Sequence, residues 1–151
     1  MEHRSVVPSI LEDEAERCEQ FQGLEGFAEV YWYGWHDGYK VMAFELLGPS
    51  LEDLLAFCGG YFSLKTVSMI MEQLLSRLES LHSRGILHRD IKPQNCLMGV
   101  GTKGNVVYIT DFGISEEASP TSESTMNGPA TSILIGTARY ASIKGHEGRG
   151  M

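Results

Sequence analysis

The chain carries the segment His88-Arg89-Asp90-Ile91-Lys92-Pro93-Gln94-Asn95, and the tripeptide Asp111-Phe112-Gly113 follows it downstream. The segment places an acid, a lysine and an amide close together, and the tripeptide adds a second acid. Asp90 can accept the proton of an attacking hydroxyl, and Lys92 can neutralise a phosphate during its transfer. A single His-Arg-Asp triplet would be unspecific, since most such triplets lie on solvated surface. The complete set in this order indicates phosphoryl-transfer chemistry.

Asn95 and Asp111 are the candidate metal ligands of this set. Their side-chain oxygens suit a hard cation such as Mg²⁺, which prefers oxygen ligands. The intervening residues Gly99-Val100-Gly101-Thr102-Lys103-Gly104 match the pattern G-x-G-x-x-G of nucleotide-binding loops. This pattern opens onto no predicted helix, so no helix N-terminus is available there to bind a phosphate. We therefore interpret it as a hairpin turn that folds Asp111 back towards Asn95, so that both can bind one cation.

The composition is that of a folded domain with an acidic surface. The chain has 151 residues, of which 42% are hydrophobic, and this suffices for a modest core. Its net charge of -8 argues against binding to nucleic acid or to anionic membranes. The N-terminal residues form no signal-peptide pattern, and no apolar run approaches the ~18 residues that a membrane span needs. We expect a cytoplasmic or nuclear protein without a nucleic-acid or membrane partner.

Hydrophobic periodicity and capping residues predict the helices. Residues 8–20 and 63–83 carry apolar side chains at three- and four-residue spacing, which is typical of amphipathic helices. Ser50 and Asp53 have the spacing of a capping box, so a short helix is predicted over residues 50–58. In the long helix we expect one broad buried face made of Val67, Ile70, Met71, Leu74, Leu78 and Leu81.

Alternating and aromatic residues predict the strands. Residues 28–35 and 39–47 flank an Asp-Gly pair, which favours a tight hairpin turn. Residues 96–98 and 106–110 are predicted to be short strands on either side of the glycine-rich turn. Residues 114–132 are rich in serine and threonine, and we expect them to form a mobile loop. Helices together with antiparallel hairpins predict an α+β fold.

The motifs of the chain resemble those of the eukaryotic protein kinases, and within them the casein kinase I family. His88-Arg89-Asp90 and Asp111-Phe112-Gly113 are similar to signatures of the whole superfamily. The resemblance covers about residues 10–145. The narrower likeness rests on Leu46-Leu47-Gly48-Pro49-Ser50-Leu51-Glu52-Asp53-Leu54, Phe62-Ser63-Leu64-Lys65-Thr66-Val67, Asn105-Val106-Val107-Tyr108-Ile109 and Gly136-Thr137-Ala138-Arg139-Tyr140-Ala141-Ser142.

This resemblance implies a protein-kinase-like fold and a non-specific serine/threonine protein kinase that uses ATP and Mg²⁺. By that resemblance Asp90, Lys92 and Asn95 are the catalytic residues, with Asp90 as the base and Lys92 in contact with phosphate. Asn95 and Asp111 correspond to the metal ligands. Arg139 resembles a residue that helps to bind an acidic or phosphorylated group upstream of the target serine. The implied partners are protein substrates, acidic or pre-phosphorylated ones among them.

Further positions correspond to the nucleotide site of the family. Glu14 falls where the family has the glutamate of its helix C, and Phe44 falls at the gatekeeper position. The hinge, whose backbone meets adenine, corresponds to the stretch from Glu45 to Leu47. Leu97 corresponds to the residue that forms the floor of the adenine pocket.

The resemblance also implies that the kinase fold is incomplete. We expect a small-lobe part with the hinge at residues 10–47, a large-lobe part at residues 48–145 and a frayed end at residues 145–151. The family's glycine loop and the lysine that pairs with Glu14 have no counterpart before Glu14, so we expect this chain by itself to be inactive. The basic stretch that the family carries after Asp-Phe-Gly is replaced by Ile114-Ser115-Glu116-Glu117. Two alternatives stay open: a non-catalytic pseudokinase or interaction fragment, and an unrelated metal-binding domain that uses the same acids.

Overall fold

The computed structural model describes residues 2–3, 10–118 and 135–146, which form helices around small antiparallel sheets. Helices and strands are mixed along the chain, so the predicted α+β class is confirmed. Most of the serine-rich segment, which the sequence predicts to be a mobile loop, lies outside the described residues. No helix in the described ranges is both long and apolar enough to cross a bilayer.

The predicted amino-terminal hairpin is present, and a helix packs against it. The helix α1 covers Ile10–Glu19, and the strands β2 and β3 cover Val30–His36 and Tyr39–Phe44. The strands pair antiparallel on either side of Asp37 and Gly38, whose φ angles are 47° and 82°. Positive φ at both positions is what a tight two-residue turn requires, so the sequence prediction of this turn is confirmed.

The sheet differs from the sequence prediction at its two ends. The strand β3 ends at Phe44 rather than at residue 47, because the chain turns there towards Met98. The carbonyl of Met98 accepts a hydrogen bond of 2.7 Å from the N–H of Gly48. An additional strand, β1 at Glu2–His3, pairs with the outer edge of β3. A strand of this length is too short to show a periodic pattern in sequence.

The helix α2 covers Leu51–Phe57 and begins at the predicted capping box, which is confirmed. The Ser50 hydroxyl accepts the N–H of Asp53 at 3.1 Å, and the Asp53 carboxylate accepts the N–H of Ser50 at 3.0 Å. These two bonds satisfy N–H groups that the first turn of a helix leaves unpaired. The hydrogen bonds from the Ser50 hydroxyl and backbone also lower the pKa of Asp53.

Short strands follow the long helix α3, which covers Leu64–His82. The strands are β4 at Ile86–Leu87, β5 at Cys96–Met98, β6 at Val107–Ile109 and β7 at Glu116–Glu117. The strand β4 pairs with β7, and β5 pairs with β6 in a separate ladder. The glycine-rich residues form the turn between β5 and β6, so their interpretation as a hairpin turn is confirmed.

The buried face of α3 is narrower than the sequence predicts. Val67 and Met71 are 40% and 48% exposed, so the prediction that both are buried is wrong. Periodicity identifies the apolar side of a helix, but burial depends on what packs there, and α3 contacts mainly β6 and β4 among the described elements. The side chains of α3 that do pack into or against the core are Ile70, Leu74, Leu78 and Leu81.

A stack of aromatic rings joins the two halves of the fold. The ring centroids of Phe21 and Phe27 lie 4.6 Å apart, and the Phe112 ring lies 5.6 Å from that of Phe21. Beside the stack, the N–H of Ile109 donates to the carbonyl of Gly26 at 3.0 Å. Because Phe112 belongs to the Asp-Phe-Gly tripeptide, this core also fixes the acid that precedes it.

Truncation of Leu81 tests the contribution of this core to stability. We expect Leu81→Ala to lower the free energy of unfolding by ~2–5 kcal/mol, because the side chain is fully buried and leaves a cavity. Leu75→Ala on the same helix is the control, since Leu75 is 59% exposed and should change stability little. Urea unfolding followed by circular dichroism measures both, and equal losses would contradict the assignment of the core.

Candidate active site

The Asp90 carboxylate is buried at the centre of a hydrogen-bond network. Its Oδ2 accepts a hydrogen bond from the Lys92 ammonium at 2.6 Å and from the Asn95 amide at 3.2 Å. Its Oδ1 accepts the backbone N–H and the hydroxyl of Thr137 at 2.9 and 2.7 Å. Asn95 also donates to the Asp90 carbonyl at 3.0 Å, which ties the loop together. The structure thus brings together Asp90, Lys92 and Asn95, which the sequence predicts as the catalytic set.

The pKa of Asp90 lies below its ordinary value because of these contacts. Burial alone would raise the pKa of Asp90, since it disfavours the charged form. The hydrogen bonds from Lys92 and Thr137 favour the carboxylate and outweigh burial. Asp90 is therefore ionised at neutral pH, as a group that accepts a proton must be.

Thr137 reaches Asp90 because Gly136 permits a close approach of two backbone segments. Gly136 has φ 89°, and a Cβ added to it would lie 2.3 Å from the carbonyl oxygen of Arg89. Any side chain there would displace the backbone that carries Thr137. In the sequence, Thr137 stands out only as part of a family motif. Its partner Asp90 lies far away in the chain, and no spacing pattern links the two.

His88 supports the loop from inside the core. The ring is buried, and its centroid lies 5.0 Å from that of Phe112. Its Nε2 lies 3.1 Å from the Thr110 carbonyl, and its Nδ1 accepts the N–H of Asp90 at 3.3 Å. Burial lowers the pKa of His88, which agrees with a neutral ring that donates from Nε2 and accepts at Nδ1. His88 therefore connects the backbone of Asp90 to the aromatic core.

Two non-glycine residues beside the site have left-handed backbones. Arg89 has φ 65° and Asp111 has φ 69°. Such conformations cost about 1–3 kcal/mol each and persist only where the surrounding structure enforces them. Arg89 directly precedes Asp90, and Asp111 directly precedes Phe112. Two of the three non-glycine residues with positive φ in the described part of the chain thus lie in the two segments that the sequence singles out.

The predicted metal ligands lie at the same end of the β5–β6 hairpin. The Asn95 carbonyl accepts the N–H of Thr110 at 3.0 Å, which places Asn95 opposite the residue that precedes Asp111. The amide nitrogen of Asn95 is bonded to Asp90, so its oxygen is the atom left for a cation. Asp111 is exposed and adds a carboxylate. These oxygen donors fit Mg²⁺, and a cation shared by the two residues stays a prediction.

Glu14 extends from α1 to the Asp-Phe-Gly tripeptide. Burial raises the pKa of Glu14, and the nearby charge of Asp111 raises it further. The backbone of Phe112 lies near the Glu14 carboxyl and lowers the pKa of Glu14, but this effect is the smaller one. Glu14 lines an apolar cavity together with Phe44 and Cys18. Burial raises the pKa of the Cys18 thiol to about 12. The roles of Glu14 as the helix C glutamate and of Phe44 as the gatekeeper stay predictions.

The side chain of the predicted hinge residue Glu45 makes a structural contact. Its carboxylate accepts hydrogen bonds from the Lys103 ammonium at 2.7 Å and from the Tyr108 hydroxyl at 3.4 Å. The bond from Lys103 is the main reason why the pKa of Glu45 is lowered. Leu97 pairs with Tyr108 across the hairpin, and Leu47 follows β3. Neither leucine lines the apolar cavity, and the adenine contacts of the hinge and of Leu97 stay predictions.

Arg139 lies in the short 3₁₀ turn Ala138–Tyr140, immediately after Thr137. Its side chain is exposed, and the guanidinium lies 5.5 Å from the centroid of the Tyr140 ring. An exposed cation two positions from Thr137 is available to a negatively charged substrate. Recognition of an acidic or phosphorylated group by Arg139 stays a prediction.

Residues 24–143 match a family model described as the protein kinase domain. The match includes the loop that carries Asp90 and the tripeptide that carries Asp111. Because it covers most of the chain, the chain belongs to the protein kinase domain family. The kinase-like fold expected from the sequence is thereby confirmed. The match does not distinguish the casein kinase I type from other protein kinases.

Removal of the Thr137 hydroxyl tests how the Asp90 carboxylate is held. We expect Thr137→Val to lower stability at pH 7 by roughly 1 kcal/mol, because one hydrogen bond to a charged group is lost. A carboxyl whose pKa is lower in the folded state stabilises the fold above its unfolded pKa, and this contribution disappears as the pH falls through the folded pKa. The difference between wild type and Thr137→Val should therefore shrink below about pH 4.

The measurement is urea unfolding at a series of pH values between neutral and strongly acidic. Thr102→Val, in the exposed turn between β5 and β6, is the control and should show no such pH dependence. A loss of stability in Thr137→Val that stays constant as Asp90 protonates would contradict the assigned hydrogen bond.

Substitution of Gly136 tests the close approach to Arg89. Gly136→Ala and Gly59→Ala both place a side chain on a residue with positive φ, but a Cβ at Gly59 meets nothing within 4 Å. Strain from φ alone costs roughly 1–2 kcal/mol. We expect Gly136→Ala to be clearly more destabilising in thermal unfolding, because it adds a collision with the backbone. Equal shifts in Tm would show that the two segments can separate freely.

Proposed function

We propose that this protein kinase is of the casein kinase I type and transfers the γ-phosphoryl group of ATP to serine or threonine in protein substrates. The observation that carries the proposal is the ionised Asp90 carboxylate, held by Lys92, Asn95 and Thr137. A serine or threonine hydroxyl must lose its proton as it attacks phosphorus. The lowered pKa keeps the Asp90 carboxylate ionised at neutral pH, so it is able to accept that proton.

Lys92 links the base to the phosphate in this proposal. Its ammonium donates to Asp90 at 2.6 Å and to the Thr137 hydroxyl at 3.0 Å, so it is fixed beside the base. A cation that is already in position stabilises the charge of the transferred phosphoryl group without reorganising during the reaction. Lys92 therefore acts by positioning and charge, and it forms no covalent bond with the substrate.

ATP and Mg²⁺ are the cofactors that the proposal requires. Asn95 and Asp111 would hold the cation, which supplies charge neutralisation at the phosphates when it is bound. The chain prepares these ligands by two separate contacts. The amide of Asn95 is oriented by its bonds to Asp90, and the backbone of Asp111 is fixed by the packing of Phe112 in the aromatic core.

The casein kinase I type is supported by motifs that have definite structural roles. The motif at residues 46–54 contains the capping box that starts α2. The motif at residues 136–142 contains Gly136 and Thr137, which complete the contacts of Asp90. It also contains the exposed Arg139, and we propose that this cation favours acidic or pre-phosphorylated protein substrates.

A radiolabelled γ-phosphate transfer assay with Mg²⁺ and peptide substrates tests the proposal. The chain is assayed by itself and joined in frame to a casein-kinase-type small-lobe start and large-lobe remainder. The chain by itself should be inactive, as the sequence predicts. We expect the joined protein to transfer phosphate to serine and threonine peptides, at a higher rate for peptides with an acidic or phosphorylated residue upstream of the target. Asp90→Asn should reduce kcat by ~10²–10⁴-fold, the usual contribution of a general base. Asp13→Asn, the same change at an exposed position of α1, is the matched control and should leave the rate unchanged.

Several results would contradict the proposal. Transfer to tyrosine peptides alone would exclude serine/threonine specificity. A preference for basic peptides would exclude the proposed role of Arg139. An equal rate in the wild type and in Asp90→Asn would show that the chain is not catalytic through this site. In that case binding of ATP without transfer would favour a pseudokinase.

A further inference from the structure

We propose that Glu116 is a positioning residue that anchors Arg89 and thereby holds the catalytic loop in place. The proposal rests on the function proposed above, since it concerns the residue that directly precedes the base Asp90. It assigns a role to an acid in the stretch that replaces the family's basic residues after Asp-Phe-Gly. Glu116 touches neither a reacting atom nor a phosphate in this proposal, and it acts only through Arg89.

The Arg89 side chain is held by two contacts from the segment that follows Asp-Phe-Gly. Its Nε donates to the Ile114 carbonyl at 2.7 Å, and its terminal nitrogen donates to the Glu116 carboxylate at 2.5 Å. The Arg89 side chain is 19% exposed, whereas that of Glu116 is 60% exposed. A largely buried guanidinium depends on its partners, because water replaces them poorly.

The pairing of β4 with β7 brings Glu116 to the catalytic loop. Glu116 pairs with Leu87, and Glu117 pairs with Ile86. Because β4 ends at Leu87, its partner Glu116 is adjacent to the first residues of the loop. The N–H of Ala118 adds a hydrogen bond of 2.6 Å to the carbonyl of Gly85, which extends this short ladder. Glu116 is therefore fixed in register with the residues that it anchors.

The Arg89 backbone connects the contact with Glu116 to the position of the base Asp90. Arg89 has a left-handed φ of 65°, and its carbonyl lies against Gly136 so closely that a Cβ there would come within 2.3 Å. The next residue after Gly136 is Thr137, which donates twice to the Asp90 carboxylate. If the Arg89 side chain is released, its strained backbone can relax. The contact with Gly136 then loosens, and with it the hydrogen bonds from Thr137.

Glu116→Gln tests this proposal, because it removes the charge and keeps the size of the side chain. Glu117→Gln is the matched control: it lies next to Glu116 in the same strand and is also exposed. Hydrogen exchange of the Thr137 amide is the first measurement. We expect exchange in Glu116→Gln to be roughly threefold to fivefold faster than in wild type, as loss of a modest ion pair implies, and unchanged in Glu117→Gln.

Phosphoryl transfer is the second measurement, made on the same variants joined in frame to a casein-kinase-type small-lobe start and large-lobe remainder. We expect Glu116→Gln to lower kcat by about threefold to tenfold with the KM for ATP unchanged, because the base is misplaced and nucleotide contacts are not. In an Arg89→Gln background, Glu116→Gln should have no additional effect on either measurement. A further loss there would show that Glu116 does not act through Arg89.

The two measurements separate the failure of this inference from the failure of the proposed function. If Thr137 exchange is equal in Glu116→Gln and Glu117→Gln, the inference is overturned, whether or not the chain transfers phosphate. If only the ladder between β4 and β7 exchanges faster, Glu116 has a purely structural role and the inference is also overturned. If Thr137 exchange rises selectively but the joined protein without substitutions shows no transfer, Glu116 still anchors Arg89 and the proposed function fails.

Discussion

Burial of the Asp90 carboxylate imposes a constraint on which the rest of the site depends. A charge inside a protein is stable only when it is paired and hydrogen-bonded. Two of its partners, Lys92 and Asn95, come from the same loop. The third, Thr137, comes from a segment much later in the chain, and it can reach the carboxylate only because Gly136 has no side chain. The need to pair the Asp90 carboxylate therefore fixes the position of the segment that carries Gly136 and Thr137.

The aromatic core links this charged centre to the amino-terminal half. His88 bonds to the backbone of Asp90 and packs against Phe112, which stacks on Phe21 beyond the end of α1. Glu14 on α1 lines one apolar cavity together with Phe112. Since protein interiors are closely packed, a shift of any of these groups would be felt by the others. The kinase chemistry proposed for the chain thus rests on a rigid connection between its two halves.

Local patterns were predicted correctly from the sequence, whereas the buried face of α3 was predicted correctly only in part. Ser50 and Asp53 form their capping box as predicted, because the two residues satisfy each other within one helical turn. On α3, the apolar spacing correctly indicated a helix but wrongly predicted that Val67 and Met71 are buried. Exposure depends on the elements that pack against a helix, and no property of the helix itself specifies them.

By itself, the sequence determined the helix caps, the hairpin turns and the loop that brings Asp90, Lys92 and Asn95 together, because each depends on residues a few positions apart. The family that these motifs resemble was confirmed at the level of the protein kinase domain. Only the tertiary structure decided that Thr137 completes the contacts of Asp90 and that Glu116 pairs with Arg89. Such partners are distant in the chain and meet only when the backbone folds. The balance of burial and hydrogen bonds that sets the pKa of Asp90 arises from the same long-range contacts.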